Sequence, residues 1–305
     1  MADTILAVNN LVKKYGQFRA VDGISFTVPK GKVVGFLGPN GAGKTTTIQV
    51  LLGITLANGG TISYFGKDFF SNRLYCLQRI NFTSAFNTLL GRISVNENLF
   101  VFAGLYQVAH AKEKIKQLLD FFEISDLAPE LYQNLSAGQK TRVNLVKSLL
   151  NDPEMILMDE PTASLDPDIA DKTLTLIEDL RRERNLTLLF TSHNMNEVTR
   201  ICDEVIFLDH GKIVAQDTPA NLTKRIRAAR IRLTFEEKKE VLEKYLREHN
   251  RQFTFLDNHT VMIATEEKFI PKVLFGISKT GVFLTDIEIQ KPTLEDVFLQ
   301  IARKE

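Results

Sequence analysis

The stretch Val33-Val34-Gly35-Phe36-Leu37-Gly38-Pro39-Asn40-Gly41-Ala42-Gly43-Lys44-Thr45 decides the fold. Its first five residues are a short apolar run of the kind that forms a buried strand. The next eight fit the spacing G-x-x-x-x-G-K-[ST] of a phosphate-binding loop. Glycines let such a loop curl so that its N–H groups point inward at phosphate oxygens. The apolar pattern from Thr45 to Leu52 predicts a helix, whose positive N-terminal end adds to the same anion site. The candidate nucleotide-binding residues here are Gly38, Pro39, Asn40, Gly41, Ala42, Gly43, Lys44, Thr45 and Thr46. Lys44 is placed to reach the β- and γ-phosphates, and the Thr45 hydroxyl to ligate Mg²⁺. A plain glycine turn would leave Lys44-Thr45 without a reason.

Working outward, strands flank the loop and then alternate with helices. Residues Ile5 to Val12 and Ile24 to Val28 are β-rich and end at turn signals. Ser94-Val95-Asn96-Glu97 has the form of a capping box ahead of an apolar run through Tyr106. Lys112 to Phe122 repeats apolar residues at helical spacing, and Ser136 to Gln139 is a second capping box before a helix to about Leu150. Met155 to Met158 and Leu186 to Phe190 read as buried strands, with a helix between them opened by Asp166-Pro167. Strands at Glu204 to Leu208 and Ile213 to Ala215 close this part. Such alternation predicts an α/β fold with a mostly parallel sheet flanked by helices.

The pattern changes after Thr218-Pro219. Lys224, Arg225, Arg227, Arg230 and Arg232 crowd together, which reads as a solvated linker or as a contact with lipid headgroups or an acidic partner. Beyond them come strand (Ile231 to Phe235), helix (Glu236 to His249), hairpin (Gln252 to Ala264), helix (Phe269 to Ser278), strand (Val282 to Ile289) and a helix opened by Pro292-Thr293. That order predicts a small α+β unit.

Composition bounds the function classes. The chain has 305 residues, 44% hydrophobic and 25% charged, which excludes a disordered or low-complexity scaffold. Lys plus Arg is 38 and Asp plus Glu is 37, so nothing pulls the whole molecule toward nucleic acid, and no nucleic-acid partner is expected. Cys76 and Cys202 are too few for a disulfide framework or a zinc cluster and fit a reducing setting. The uncharged stretch Thr45 to Gly66 is too polar for a membrane span. The start Met1-Ala2-Asp3-Thr4 has neither a signal-peptide pattern nor the glycine that myristoylation needs. A role at a membrane therefore calls for another chain to supply the span.

Further motifs carry a family resemblance over roughly residues 5 to 220. Leu135-Ser136-Ala137-Gly138-Gln139 resembles the LSGGQ signature of ATP-binding cassette (ABC) ATPases. Met155-Ile156-Leu157-Met158-Asp159-Glu160 resembles their Walker B strand with its following glutamate, and Ser164-Leu165-Asp166 their D-loop. His193 resembles the switch histidine, and Tyr15 the aromatic residue that stacks on adenine. All occur in the family's order. An apolar strand would deliver Asp159 to its carboxyl end, where open α/β sheets bind ligands and where it can hold the Mg²⁺ shell. Glu160 would polarise the attacking water as general base, with His193 at the γ-phosphate. The resemblance implies that Ser136, Gly138 and Gln139 bind the γ-phosphate of ATP held by an opposite subunit, with Asp166 beside it. The partnership is then a symmetric homodimer.

Two positions depart from the pattern. Ala137 stands where the signature has glycine or serine, and a Q-loop glutamine is missing from Ile80-Asn81-Phe82-Thr83-Ser84-Ala85-Phe86. Counting back from Val95, its place is about Ala85; the readings open are that Ser84, Gln78 or a water substitutes, or that the site manages without.

The expected organisation is a nucleotide-binding domain over 1–226, with a helical subdomain over about 82–150, and an accessory α+β domain over 227–305. A single cassette with a tail ending Lys291-Pro292-Thr293-Leu294-Glu295-Asp296-Val297-Phe298-Leu299 resembles ATPase subunits of ABC-2-type exporters. That implies ATP and Mg²⁺ as cofactors, and a separate transmembrane permease gripped by the region Phe82 to Tyr106, whose aromatic residues Phe82, Phe86, Phe100, Phe102 and Tyr106 suit either a docking surface or, for most of the rings, a buried core. The chain would lie on the cytoplasmic face of the membrane. The alternatives are a soluble ABC ATPase acting on ribosome or DNA, and a nucleotide-binding regulator without useful turnover.

Overall fold

A computed structural model of the chain describes residues 3–85, 88–163, 165–224 and 228–302. Met1, Ala2, Phe86, Ser164, Arg225 and Arg227 lie outside the described residues, and so does the 226/227 boundary. The chain divides into two compact units, Met1–Pro219 and Ala220–Glu305.

The first unit opens with a long hairpin, β1 (Thr4–Tyr15) and β2 (Phe18–Pro29), whose inward residues alternate with exposed ones. Strand β3 (Val33–Leu37) is buried at all five positions, as its unbroken apolar run predicts. Helix α1 (Lys44–Leu51) follows the glycine loop. Strands β4 (Gly59–Tyr64) and β5 (Lys67–Asp68) extend the hairpin into an antiparallel sheet of order β2-β1-β4-β5. Helix α2 (Arg73–Leu77) then leads into β6 (Ile80–Ser84).

Next come α3 (Val95–Leu105), α4 (Ala111–Phe121) and α5 (Ala137–Ser148). The two predicted capping boxes are both formed. Ser94 Oγ accepts from Glu97 N while Glu97 accepts from Ser94 N, and Ser136 and Gln139 repeat the pattern. Alternating elements complete the unit: β7 (Met155–Asp159), α6 (Pro167–Arg184), β8 (Thr187–Thr191), α7 (Met195–Ile201), β9 (Glu204–Asp209) and β10 (Lys212–Asp217). Asp166 is the residue before α6, with Pro167 at its first position.

These strands form a six-stranded sheet of order β10-β9-β3-β8-β7-β6, parallel except at β10. The two sheets and α1 enclose one core that includes Leu6, Val28, Phe36, Ile48, Leu157 and Leu189. One expectation needs correction. The segment from 82, read as helical, opens as strand: Phe82 to Ser84 finish β6, paired with β7, and the helices run from Val95 to Ser148. The sequence Ile-Asn-Phe-Thr-Ser lacks the apolar run of a buried strand, because Asn81, Thr83 and Ser84 are buried polar residues.

Helix α8 (Pro219–Lys224) spans the division between the units. The second unit is α+β: β11 (Ala228–Phe235), α9 (Lys239–Glu248), β12 (Gln252–Phe255), β13 (Thr260–Glu266), α10 (Ile270–Ser278), β14 (Leu284–Gln290) and α11 (Leu294–Ala302). Its sheet is antiparallel, in the order β12-β13-β11-β14. Ile231, Leu233 and Phe235 of β11 pack with Leu242 and Leu246 of α9 and with Val273 and Ile277 of α10. Among the described residues, no helix is long and apolar enough to cross a membrane.

Candidate functional site

Parallel strands deliver their carboxyl ends to one edge of the sheet, and the chemistry-bearing residues sit there. β3 ends at Leu37 and runs into the glycine loop. The loop is shaped by close approach to its surroundings. Gly43 has φ +101°, and a Cβ there would lie 2.3 Å from the Ala20 carbonyl oxygen of β2. Only glycine fits, and α1 therefore starts with its first N–H groups turned toward the loop mouth. Lys44 Nζ donates to the carbonyls of Gly38 (2.6 Å) and Pro39 (3.0 Å), which places the ammonium across the loop. Burial pulls the Lys44 pKa down, while Glu160 and Asp159 push it up. Thr45 is exposed at the helix start, while the Thr47 hydroxyl is turned back onto the Gly43 carbonyl at 2.8 Å. This donor set of backbone N–H groups, one ammonium and a free hydroxyl beside two carboxylates fits a nucleoside triphosphate with its metal.

The carboxylates come from β7, separated from β3 in the sheet by β8. Asp159 ends β7, and its Oδ1 accepts from Thr191 Oγ1 at 2.6 Å across the parallel pair. Burial raises the Asp159 pKa; the Thr191 bond opposes the shift, Glu160 adds to it, and Lys44 offsets it. Glu160 leaves the strand in the left-handed region, φ +50°. Its N–H is fixed by the Thr191 carbonyl (3.1 Å) and hydroxyl (3.0 Å). That turn aims the carboxylate at His193, whose Nδ1 lies 3.3 Å from Glu160 Oε2. His193 is largely exposed and follows β8 by two residues. Asp159, Glu160 and His193 are thus brought together at the carboxyl ends of β7 and β8.

Sequence reasoning missed Glu197, in the first turn of α7. It is buried, and it accepts from Thr162 and Ser192, the residues just beyond Glu160 and just before His193. A glutamate four residues after His193 was the available signal, but the partners are set by tertiary structure. A cavity of about 390 Å³ lies beside these groups, lined by Glu160, Thr162, His193, Asn194, Glu197 and Arg200 among others.

The remaining candidates lie further out. Tyr15 is half-exposed at the end of β1, paired with Phe18. Its partner Phe18 is two residues before Ala20, whose carbonyl abuts Gly43, so Tyr15 lies at the hairpin end nearest that contact. Ser136 and Ala137 are exposed at the start of α5. Gly138 packs so tightly on α6 that a Cβ would lie 2.6 Å from Ile169 Cγ2. Asp166 is exposed. Of the proposed Q-loop substitutes, Ser84 is at the carboxyl end of β6 opposite Asp159, with Ala85 just beyond. Gln78 precedes the amino end of the same strand, so the structure does not bring it to the site.

The sequence profile of the ABC transporter family matches residues 21–163. The linearmycin resistance ATP-binding protein of Bacillus subtilis is 30% identical over 305 residues, covering 97% of this chain and 98% of the relative. The chain belongs to the ABC transporter family. The Nod factor export ATP-binding protein I of Ralstonia nicotianae is 36% identical over 220 residues, covering 72% of this ABC chain and 68% of the relative. A crystal structure of an ATP-binding cassette of an ABC transporter in its ADP conformation has a TM-score of 0.63 at 29% identity, covering 70% of this chain and 91% of that one.

This ABC protein is the ATP-binding component of a transporter, and an ATPase. Its nucleotide is ATP. Of the two positions that depart from the motifs, Ala137 is the exposed first residue of α5 and Ala85 follows the end of β6.

Proposed function

We propose that this chain is the ATP-hydrolysing subunit of an exporter, working as a homodimer beneath a separate transmembrane permease on the cytoplasmic face of the membrane. The observation that carries the mechanism is the 3.3 Å approach of Glu160 to His193, beside Asp159 and Lys44. In this reading the loop from Gly38 to Thr46 cradles the phosphates, and Lys44 turns from the loop carbonyls to the β- and γ-phosphate oxygens. Thr45 and Asp159 hold Mg²⁺, which when bound neutralises charge on those oxygens. Glu160 accepts a proton from the attacking water, and His193 contacts the γ-phosphate and keeps Glu160 oriented. Tyr15 stacks on the adenine.

Ser136, Gly138 and Gln139 serve the opposite subunit's ATP through the amino end of α5, with Asp166 alongside. Two ATP molecules then close the dimer, so closure is the state that ATP favours. The permease is gripped by an exposed face of α3, where Phe100, Val101 and Leu105 recur at helical spacing. Export as the direction follows from the relatives named for Nod factor export and for linearmycin resistance. Among the described residues, nothing favours the soluble ribosome or DNA reading.

The test is a pull-down. Tagged Glu160→Gln protein is recovered from detergent-solubilised membranes with ATP present, and the co-purifying chains are identified by mass spectrometry. A stoichiometric polytopic membrane protein is expected. Ribosomal or DNA-bound proteins, or none, would overturn the exporter reading.

A further inference from the structure

Glu197 is a carboxylate with 7% of its surface exposed, in the first turn of α7. A buried charge is costly unless donors satisfy it. Here the donors are specific. Its Oε2 accepts from Thr162 Oγ1 and from Ser192 Oγ, each at 2.7 Å, and Asn194 Nδ2 reaches Oε1 at 3.4 Å. Arg200 lines the same cavity, but its guanidinium is engaged by Glu178 and Asp171. Glu197 is therefore held by hydroxyl and amide groups, and the donors come from two different turns.

Those two turns carry the reactive pair. Thr162 lies two residues after Glu160, and Ser192 immediately precedes His193. Beneath them Thr191 already pins the strand ends, through Asp159 and through the Glu160 N–H. Glu197 joins the same two turns at a second point. With both in place, the segment from Glu160 to Thr162 is fixed to the segment from Thr191 to Ser192 at each end, and the Glu160–His193 separation follows. Asn194 extends the brace, because its N–H donates to Ser192 Oγ at 3.0 Å while its side chain caps α7.

We propose that Glu197 is a positioning residue for ATP hydrolysis: its carboxylate bridges the turn after Glu160 and the turn before His193, and so sets the general base against the histidine. This rests on the roles proposed above for Glu160 and His193. Glu197 itself touches neither phosphate nor the attacking water. Its effect is on kcat, since a displacement of about 1 Å at the reacting groups can cost on the order of 100-fold in rate.

The experiment uses the full-length chain and measures steady-state ATPase kinetics, binding of a fluorescent ATP analogue and the thermal midpoint. Glu197→Gln keeps an oxygen for the two hydroxyls and should retain kcat within about 3-fold. Glu197→Asp keeps the charge but falls short of both turns, and Glu197→Ala removes the bridge. Both should lose roughly 10-fold or more in kcat, with KM and analogue affinity within about 2-fold of the parent chain. Thr162→Val cuts one arm without changing volume and should lower kcat in the same way, which keeps the test alive if the Ala variant fails to fold. Unchanged kcat in the Asp and Thr162→Val variants would overturn the proposal. So would a loss confined to KM, or one shared by the Gln variant. Failure of the underlying reading shows separately: Glu160→Gln would then hydrolyse ATP normally.

Discussion

Gly43 shows how little freedom the phosphate loop has. Any side chain there meets the Ala20 carbonyl and must adopt φ +101°. A non-glycine residue in such backbone costs about 1–3 kcal/mol before any clash is counted. Gly43→Ala should therefore lower the unfolding free energy by at least that much and abolish ATP binding, checked by denaturant melts and nucleotide titration. Lys44 gives the complementary prediction. A hydrogen bond to a charged group contributes about 1.5–3 kcal/mol, and Lys44 supplies the loop's ammonium. Lys44→Ala should weaken ATP binding by roughly 10- to 150-fold, measured by calorimetry; unchanged affinity would remove the phosphate-loop assignment. Both residues were legible in the sequence because the motif is contiguous. Glu197 was not, because Thr162 lies 35 residues away along the chain.

At the scale of elements, the two capping boxes form a matched pair. Ser94 opens α3 and Ser136 opens α5 with the same reciprocal bonds. Loss of such a cap costs about 1 kcal/mol. Ser94→Ala and Ser136→Ala should lower stability alike, but only Ser136→Ala should lower ATP turnover. Equal turnover in the two variants would leave the α5 terminus a cap alone. A second element-level prediction concerns Lys147 of α5. It is buried, its Nζ donates to Asn81 Oδ1 (3.2 Å) and the Phe82 carbonyl (3.1 Å) of β6, and it lies over the Phe102 ring. Burial lowers its pKa from 10.5 to about 8. The unfolded chain then binds more protons between about pH 8 and 10.5, so stability should rise with pH across that window. Below about pH 8 the folded state carries the full penalty of the buried charge. Lys147→Met should remove the rise, as seen by comparing chemical denaturation of the two proteins at pH 7.5 and 10. Local spacing made the caps legible. Strand β6 was not, since its buried polar residues interrupt the apolar pattern, and Asn81 among them is satisfied by Lys147 of α5 and by Asn151.

At the scale of the molecule, the alternation of strands and helices was enough to predict a mostly parallel sheet with its ligand edge at the carboxyl ends, and the second α+β unit was legible element by element. What the sequence left open was which residues meet: Ser84 opposite Asp159 is a matter of register between β6 and β7, and the Glu160–His193 contact depends on a left-handed turn. The most direct test of the whole account follows from that contact. Glu160→Gln protein is incubated with ATP and Mg²⁺, and its mass in solution and the fate of the nucleotide are measured together. A stable dimer retaining unhydrolysed ATP is expected, where the parent chain turns over. Normal hydrolysis by this variant would contradict it.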